Sequence, residues 1–445
     1  MLHIDKRKRR YAAAASVIGT TIEVYDFFIF GTAAALVFGK QFFPGLDPTA
    51  ALIASFTSYA VGYVARPLGA FIFGHFGDKS GRRDTLLITL LLMALPTILI
   101  GLMPNYDTIG IAAPILLCLL RIFQGIAFGG EWGGAVLLAV ETAPDGRKSL
   151  WGALPSAGAS AGIVLSTLAW AAASTMPDAA FQAWGWRLPF LASVVLLVIG
   201  VVLRLRIDET PSFQQARSSG TLSRAPLSET FRTAKLPMLK CVCLRVFENS
   251  WFAIVLVFFV SYAVTTAKIP KPQILNAIAF GGALSIPTLF AIGWLGDRIG
   301  QRIIYAFGAV ALAAWTWVMF DAVLRGDPSL VVVIGLGLIW PCVYGPQSAL
   351  FAAQFETRVR YSGLSIATQL AGILGGGIAP LVAALLVANH GGSPAWVALY
   401  LSALAVIGLI AVLSMRPTSA LDLEPHRPGG VAALRPTAEF GTPTP

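Results

Sequence analysis

Glu23 and Asp26 stand three residues apart in Thr20-Thr21-Ile22-Glu23-Val24-Tyr25-Asp26-Phe27-Phe28, within an otherwise apolar run. Helical spacing places both carboxylates on one face, and two acids that close in poorly solvated surroundings do not ionise together easily. The chemistry implied is reversible protonation, with either acid able to hold the proton. An ionisable side chain in the middle of a membrane span costs about 2.5–3.5 kcal/mol on insertion scales, so each one marks function by default. Ser55, Tyr59, Tyr63 and Arg66 recur at helical spacing as a polar stripe, with Pro67 next, where the helix is expected to loosen. Arg66 either receives a solute carboxylate on its fork of N–H donors or serves as permanent partner of Glu23 or Asp26. Arg121, Gln124 and Glu131 share a face of a later run, where Arg121 is the first candidate to pair with the acids at 23 and 26. Glu131 lies further along and either joins the proton path or braces a gate.

Arg245 and Glu248 are again three apart, close to Asn249, and fit either a core ion pair or a binding element of the second half. Trp340, Tyr344 and Gln347 share one helical face, as do Ser365, Gln369 and Gly372, offering aromatic walls and neutral donors to an oxygen-rich solute. Arg66, Arg121 and Arg245 supply three positive charges against the four carboxylates of Glu23, Asp26, Glu131 and Glu248. The surplus acid is the natural seat of a transported proton.

Such charges need a membrane-embedded scaffold to position them. Of the 445 residues 56% are hydrophobic and 12% charged, against roughly 25% charged in soluble domains. At about 20 apolar residues per span the chain holds about twelve spans, near 12–38, 50–76, 84–103, 109–140, 150–173, 186–206, 238–264, 273–295, 302–322, 329–353, 360–388 and 394–415. Glu23 and Asp26 within the first run, and its length, argue for a retained helix over a cleaved signal. Residues 1–11 form a basic N-terminus, 12–206 a first six-helix bundle, 207–237 a polar linker, 238–415 a second bundle, and 416–445 a Pro-rich tail expected to be disordered.

The two bundles carry the same motif. Gly74-His75-Phe76-Gly77-Asp78-Lys79-Ser80-Gly81-Arg82-Arg83 matches Gly293-Trp294-Leu295-Gly296-Asp297-Arg298-Ile299-Gly300-Gln301-Arg302 at Gly, Gly, Asp, Gly and the last Arg. Each copy falls between two apolar runs and reads as a tight loop, with Gly74, Asp78, Gly81, Arg82, Gly293, Asp297, Gly300 and Arg302 as gating positions. Basic residues cluster in the segments on this side, beginning with Lys6-Arg7-Lys8-Arg9-Arg10, while the outer loops hold Lys40, Lys268, Lys271 and Arg325. That bias puts both termini in the cytoplasm and assigns the net charge of +10 to the membrane surface, not to nucleic acid. Four cysteines in or beside apolar runs suggest neither disulfide framework nor zinc site, and no phosphate-binding Gly-Lys-Ser/Thr loop is present, which disfavours an ATP-driven pump.

Glu23-Val24-Tyr25-Asp26-Phe27, Arg66-Pro67-Leu68-Gly69 leading into the first motif, and Arg121 through Glu131-Trp132-Gly133-Gly134 resemble the metabolite:proton symporters of the major facilitator superfamily. Within them the chain is similar to the organic-acid symporters that include the shikimate permease. The resemblance covers about residues 12 to 415 and implies an all-α membrane protein of two pseudo-symmetric six-helix bundles in a bacterial inner membrane. It also implies that the bundles rock about a central site to symport a proton and a small organic carboxylate. No cofactor is implied beyond the proton gradient, and one chain is the expected working unit. Family precedent makes Asp26 or Glu23 the proton site and Arg121 its partner; position and residue type add Glu131 as a further coupling candidate, with Tyr59, Tyr63, Arg66, Gln124, Arg245, Asn249, Tyr344, Gln347 and Gln369 as candidate solute contacts. Two departures are Val24, where the group usually has Trp, and Gln301, where it has a second Arg. The alternative within the family is a proline- or betaine-type compatible-solute symporter, against which the short tail counts. A membrane-embedded enzyme is disfavoured because His3, His75, His390 and His426 all lie in tails or at loops.

Overall fold

In a computed structural model the backbone is described for residues 6–80, 82–129, 139–140, 143, 146–205, 234–356 and 359–415. Side chains are described for 17–73, 87–129, 139–140, 143, 146–202, 234–356, 359–360 and 362–415. Glu131, Gly81, most of the linker and the Pro-rich tail lie outside these residues, as do the side chains of the basic N-terminus and of Gly74, Asp78 and Arg82.

The described chain is helical, with twelve long elements: α1 (Lys6–Leu36), α2 (Pro48–Ser80), α3 (Arg82–Leu102), α4 (Ala112–Phe128), α5 (Lys148–Ala173) and α6 (Leu188–Leu205) in the first half. In the second half come α7 (Lys235–Thr265), α8 (Lys271–Ile299), α9 (Gln301–Leu324), α10 (Ser329–Ala352), α11 (Arg360–Asn389) and α12 (Ala395–Leu413). Nine described helices have the length and apolar composition to cross a membrane. The outward faces of these and of the shorter α3 and α4 are apolar, with Leu99, Ile115, Val195, Phe307 and Ile410 exposed as a surface facing lipid requires.

Two sequence expectations change. The motif is not a loop of ten residues: α2 runs through Ser80 and α8 through Ile299, and the turn between α8 and α9 is Gly300 alone, at φ 97°. A side chain rarely adopts that φ, whereas glycine reaches it without steric cost, so one residue reverses the chain. Helix α2 also continues through Pro67. There the missing N–H removes one helical bond, which leaves a Tyr63 carbonyl to find other partners.

Three spans of the second half contain π-helical turns: Ile254–Phe258 in α7, Gly335–Ile339 in α10 and Gly372–Gly377 in α11. Each such turn adds a residue and rotates the helix face beyond it.

Helix α1 is the spine of the first half. Thr21 Oγ1 donates to the Gly158 carbonyl at 3.0 Å, Tyr25 Oη to that of Pro189 at 2.8 Å, and Trp170 Nε1 to that of Ile29 at 3.1 Å. These bonds tie α1 to α5 and α6. Without a hydrophobic force between helices in lipid, close backbone approach and such polar ties hold the bundle.

Candidate functional site

Helices α2 and α4 touch backbone to backbone. A Cβ on Gly69 would run into the Ile126 carbonyl, one on Gly125 into that of Gly62, and one on Gly129 into that of Arg66. This approach brings Arg66 of α2 and Arg121 of α4 into one neighbourhood at mid-span. Arg121 occupies the space that Gly62 leaves, its Nε 2.5 Å from where a Cβ would stand. Its Nη1 donates to Gln124 Oε1 at 3.0 Å, and Gln124 Nε2 donates to Thr97 Oγ1 at 2.7 Å, so α3 and α4 together fix the guanidinium.

Both cations are buried, at 8% and 0% exposure for Arg66 and Arg121, and neither forms an ion pair among the described residues. The pairing of Arg121 with Glu23 or Asp26 that spacing suggested is therefore not formed, and neither is the alternative use of Arg66 as partner of those acids. Aromatic faces hold the guanidiniums instead. Phe27 lies under both, 4.2 Å from Arg66 and 3.8 Å from Arg121. Arg66 also sits 3.9 Å from each of the Tyr63 and Phe128 rings, and Arg121 4.2 Å from Phe30 and 5.0 Å from Tyr59. A desolvated cation–π contact is worth about 2 kcal/mol, less than the several kcal/mol that desolvating an ion costs. Arg66 Nε and Arg121 Nε and Nη2 are buried donors without a hydrogen-bond partner among the described residues. The tyrosine hydroxyls of Tyr59 and Tyr63 pair with each other at 3.1 Å.

Asp26 faces away from the arginines. Its Oδ1 accepts a hydrogen bond from Ser193 of α6 at 2.8 Å, and its Oδ2 is buried without a partner among the described residues. Glu23, one turn earlier, is buried on the same helix.

In the second half Arg245 and Glu248 form the i,i+3 ion pair that their spacing allowed, Nη1 to Oε2 at 3.1 Å. Arg245 Nη1 also donates to Gln347 Oε1 at 2.7 Å, and Trp340 Nε1 donates to Glu248 Oε1 at 3.0 Å. Trp340 is stacked between Phe252 and Tyr344, with centroids 4.8 and 4.6 Å away. Phe252 meets Phe28 of α1 edge-on at 5.2 Å across the midline. Asn249 packs against Gly375 of α11. Gln369 does not open onto this cluster; its Nε2 donates to the Gly129 carbonyl of α4 at 2.9 Å, joining the halves. Tyr63 lies against Gly376 in the same seam.

The halves meet at both ends. At the motif end Asp297 accepts hydrogen bonds from the backbone N–H groups of Ser149 and Leu150, at 2.8 and 3.1 Å. These are early donors of α5, whose own cap residue Arg147 supplies no side-chain acceptor, so Asp297 serves as an N-cap from the other half. Gln301 Nε2 adds a bond to Ser149 Oγ at 2.5 Å, Gly293 abuts the same turn, and Arg302 donates to carbonyls at the end of α12. At the opposite end Lys271 Nζ bridges to Asp178 Oδ1 at 2.7 Å and lies over Phe181. The Lys271 hydrogen bond and charge hold the Asp178 carboxyl below the usual aspartate range. A small cleft with room for about one water is lined in part by Phe28, Thr32, Ser166, Thr167 and Leu256. Sequence reasoning missed Phe27, Phe128, Ser193 and Ser149: none carries charge, and only position in space reveals their roles.

The Major Facilitator Superfamily model matches residues 16–376. Among curated relatives, the inner membrane metabolite transport protein YhjE of Escherichia coli K12 is 37% identical, the match covering 92% of this chain and 94% of that protein. The shikimate transporter of the same strain is 36% identical over 92% of this chain and 95% of its own length. A proline/betaine transporter of that strain is 34% identical over 96% and 87%. Among solved structures, that of a D-xylose-proton symporter aligns with a TM-score of 0.69 over 91% of this chain and 96% of its own, at 18% identity.

Proposed function

We propose that this chain, which belongs to the major facilitator superfamily and is a multi-span transport protein of the inner membrane, carries a small organic carboxylate together with a proton by alternating access. The observation that carries the reading is the pair of buried guanidiniums on Phe27. Their N–H donors without a partner among the described residues are of the kind a carboxylate satisfies through charge-assisted, bidentate hydrogen bonds. A solute anion would thereby offset the desolvation of two cations that rings alone only partly stabilise.

Asp26 is the leading proton carrier and Glu23 the second, with Glu131 the next candidate. Tyr59, Tyr63, Gln124, Asn249, Tyr344 and Gln347 shape the solute site, and Gln369 links the halves beside it. The gradient of protons supplies the energy, both termini face the cytoplasm, and a single chain is the working unit. The motif residues Gly74, Asp78, Gly81 and Arg82, with Gly293, Asp297, Gly300 and Arg302, control exchange between states.

The 36% identity to a shikimate transporter favours a carboxylate. The 34% identity to a proline/betaine transporter favours a zwitterion as the second reading. Uptake into proteoliposomes under an imposed pH gradient, against mono- and dicarboxylates, proline and betaine, separates the two. Asp26→Asn is expected to abolish accumulation driven by pH while sparing exchange between preloaded and external solute, because exchange needs only the loaded carrier to reorient. Accumulation by Asp26→Asn equal to the parent's would move the proton to Glu23 or Glu131; uptake of zwitterions alone would overturn the carboxylate reading.

A further inference from the structure

Glu248 has no role in the reading above, yet it is a buried acid in ion-pair contact with an arginine of the core. It is 1% exposed; its Oε1 accepts a hydrogen bond from the Trp340 indole N–H, and its Oε2 stands in an ion pair with Arg245 Nη1 at 3.1 Å without a hydrogen-bond partner among the described residues. An adjacent guanidinium and one N–H donor both favour the carboxylate form. Arg245 is the third guanidinium of the centre. Arg66 reaches across the seam to Gly372 of α11, and Gly375 of the same turn packs on Val246 of α7, next to Arg245. Among the described residues, only this one of the three has a carboxylate partner.

We infer that Glu248 sets the charge selectivity of the solute site. As a fixed counter-ion it removes Arg245 from the cationic set, so the site accepts one negative charge fewer than three arginines would. Through Trp340 it also holds the stacked wall of Phe252, Trp340 and Tyr344 in place. Glu248 is thus a positioning residue that acts through Arg245 and Trp340, and the inference rests on the carboxylate reading. Glu248→Gln keeps the shape and one acceptor while adding one net positive charge. A unit charge several ångströms from the solute, in surroundings of intermediate dielectric, changes relative affinities by about tenfold or more.

The test uses matched probes, cyclohexanecarboxylate and cyclohexane-1,3-dicarboxylate, with affinities measured by calorimetry on the purified full chain. Glu248→Gln is expected to move the dicarboxylate-to-monocarboxylate affinity ratio about tenfold toward the dicarboxylate. Arg245→Gln should move it the opposite way, and the double variant Glu248→Gln/Arg245→Gln should return it to the parent value. A purely structural brace would weaken both probes alike and leave the ratio unchanged, which overturns the inference. So would a Glu248→Gln protein that loses accumulation driven by pH but retains exchange, since Glu248 would then be a proton carrier. If Glu248→Gln does not fold, the shift in Arg245→Gln decides. Failure of both probes to bind the parent protein sinks the carboxylate reading itself, and this inference with it; binding without a shift sinks only the inference.

Discussion

Gly62→Ala separates the binding role of Arg121 from its role in the fold. The new methyl would stand 2.5 Å from Arg121 Nε and 3.0 Å from its Cδ and Cζ, and relaxed carbon contacts lie at about 3.5–4.0 Å. The guanidinium must therefore shift by about 1 Å, which disturbs its contact with Phe27 and its bond to Gln124. A hydrogen bond to a charged group is worth about 1.5–3 kcal/mol, so losing one to the solute weakens binding by about 10- to 150-fold. Stability should change little, because alanine's helix propensity gains about 1 kcal/mol over glycine while local crowding costs about 1–3 kcal/mol. Calorimetric titration of the purified variant gives the affinity, and its unfolding temperature checks the fold. Gly408→Ala is the control, since a Cβ there meets its nearest atom at 3.4 Å, an ordinary contact. Binding by Gly62→Ala within twofold of the parent would refute the assignment of Arg121 to the solute.

Two further outcomes follow from the closures. Asp297→Ala leaves α5 without its cap, and loss of a cap costs about 0.5–2 kcal/mol, so the motif end should open more often. The rate of labelling of a cysteine introduced at Ser149 should rise, and an unchanged rate would mean that Asp297 does not hold that end. Asp178→Asn removes the Lys271 bridge and should speed maleimide labelling of Thr32→Cys in the cleft, with Cys118, Cys241, Cys243 and Cys342 replaced. Because Lys271 lowers the Asp178 pKa, the bridge is present above the ordinary aspartate value of about 4 and is lost only as pH falls through the lowered one. Labelling of the protein with Asp178 intact, taken relative to an exposed reference thiol to remove the thiolate's own pH dependence, should thus be steady from pH 8 to 5, and relative acceleration within that window would assign the closure to another group.

Much of this arrangement is readable from the chain. Apolar run length reveals the spans, the rarity of charge at mid-span singles out Arg66, Arg121 and Arg245, and helical spacing anticipates both the Arg245–Glu248 pair and the shared face of Trp340, Tyr344 and Gln347. Partner choice is not readable, because counting charges assumes that buried cations seek carboxylates. Here rings from three helices take the guanidiniums, and a serine 167 residues away takes Asp26. The contraction of the motif to the single turn at Gly300 escapes sequence reading for another reason. Polar residues at the end of a membrane helix have the same composition whether they continue the helix or leave it.

The absence of an ion pair between Asp26 and Arg121 bears on how a proton and an anion would be coupled. Asp26 and Phe27 are neighbours on α1, and about 100° of helix rotation separates their side chains. That rotation turns the acid toward Ser193 of α6 and the ring toward the two arginines. A shift of α1 that accompanies protonation of Asp26 would therefore move Phe27 under both guanidiniums at once, without a bond having to be exchanged between acid and base. The same helix presents Phe28 to Phe252 of the other half and, at Gly31, meets Val257 of the π-helical turn in α7. The proposed proton site, the ring under the proposed anion site and the seam are thus consecutive positions on one helix, the kind of physical link that lets occupation of one site bias a two-state equilibrium felt at the other.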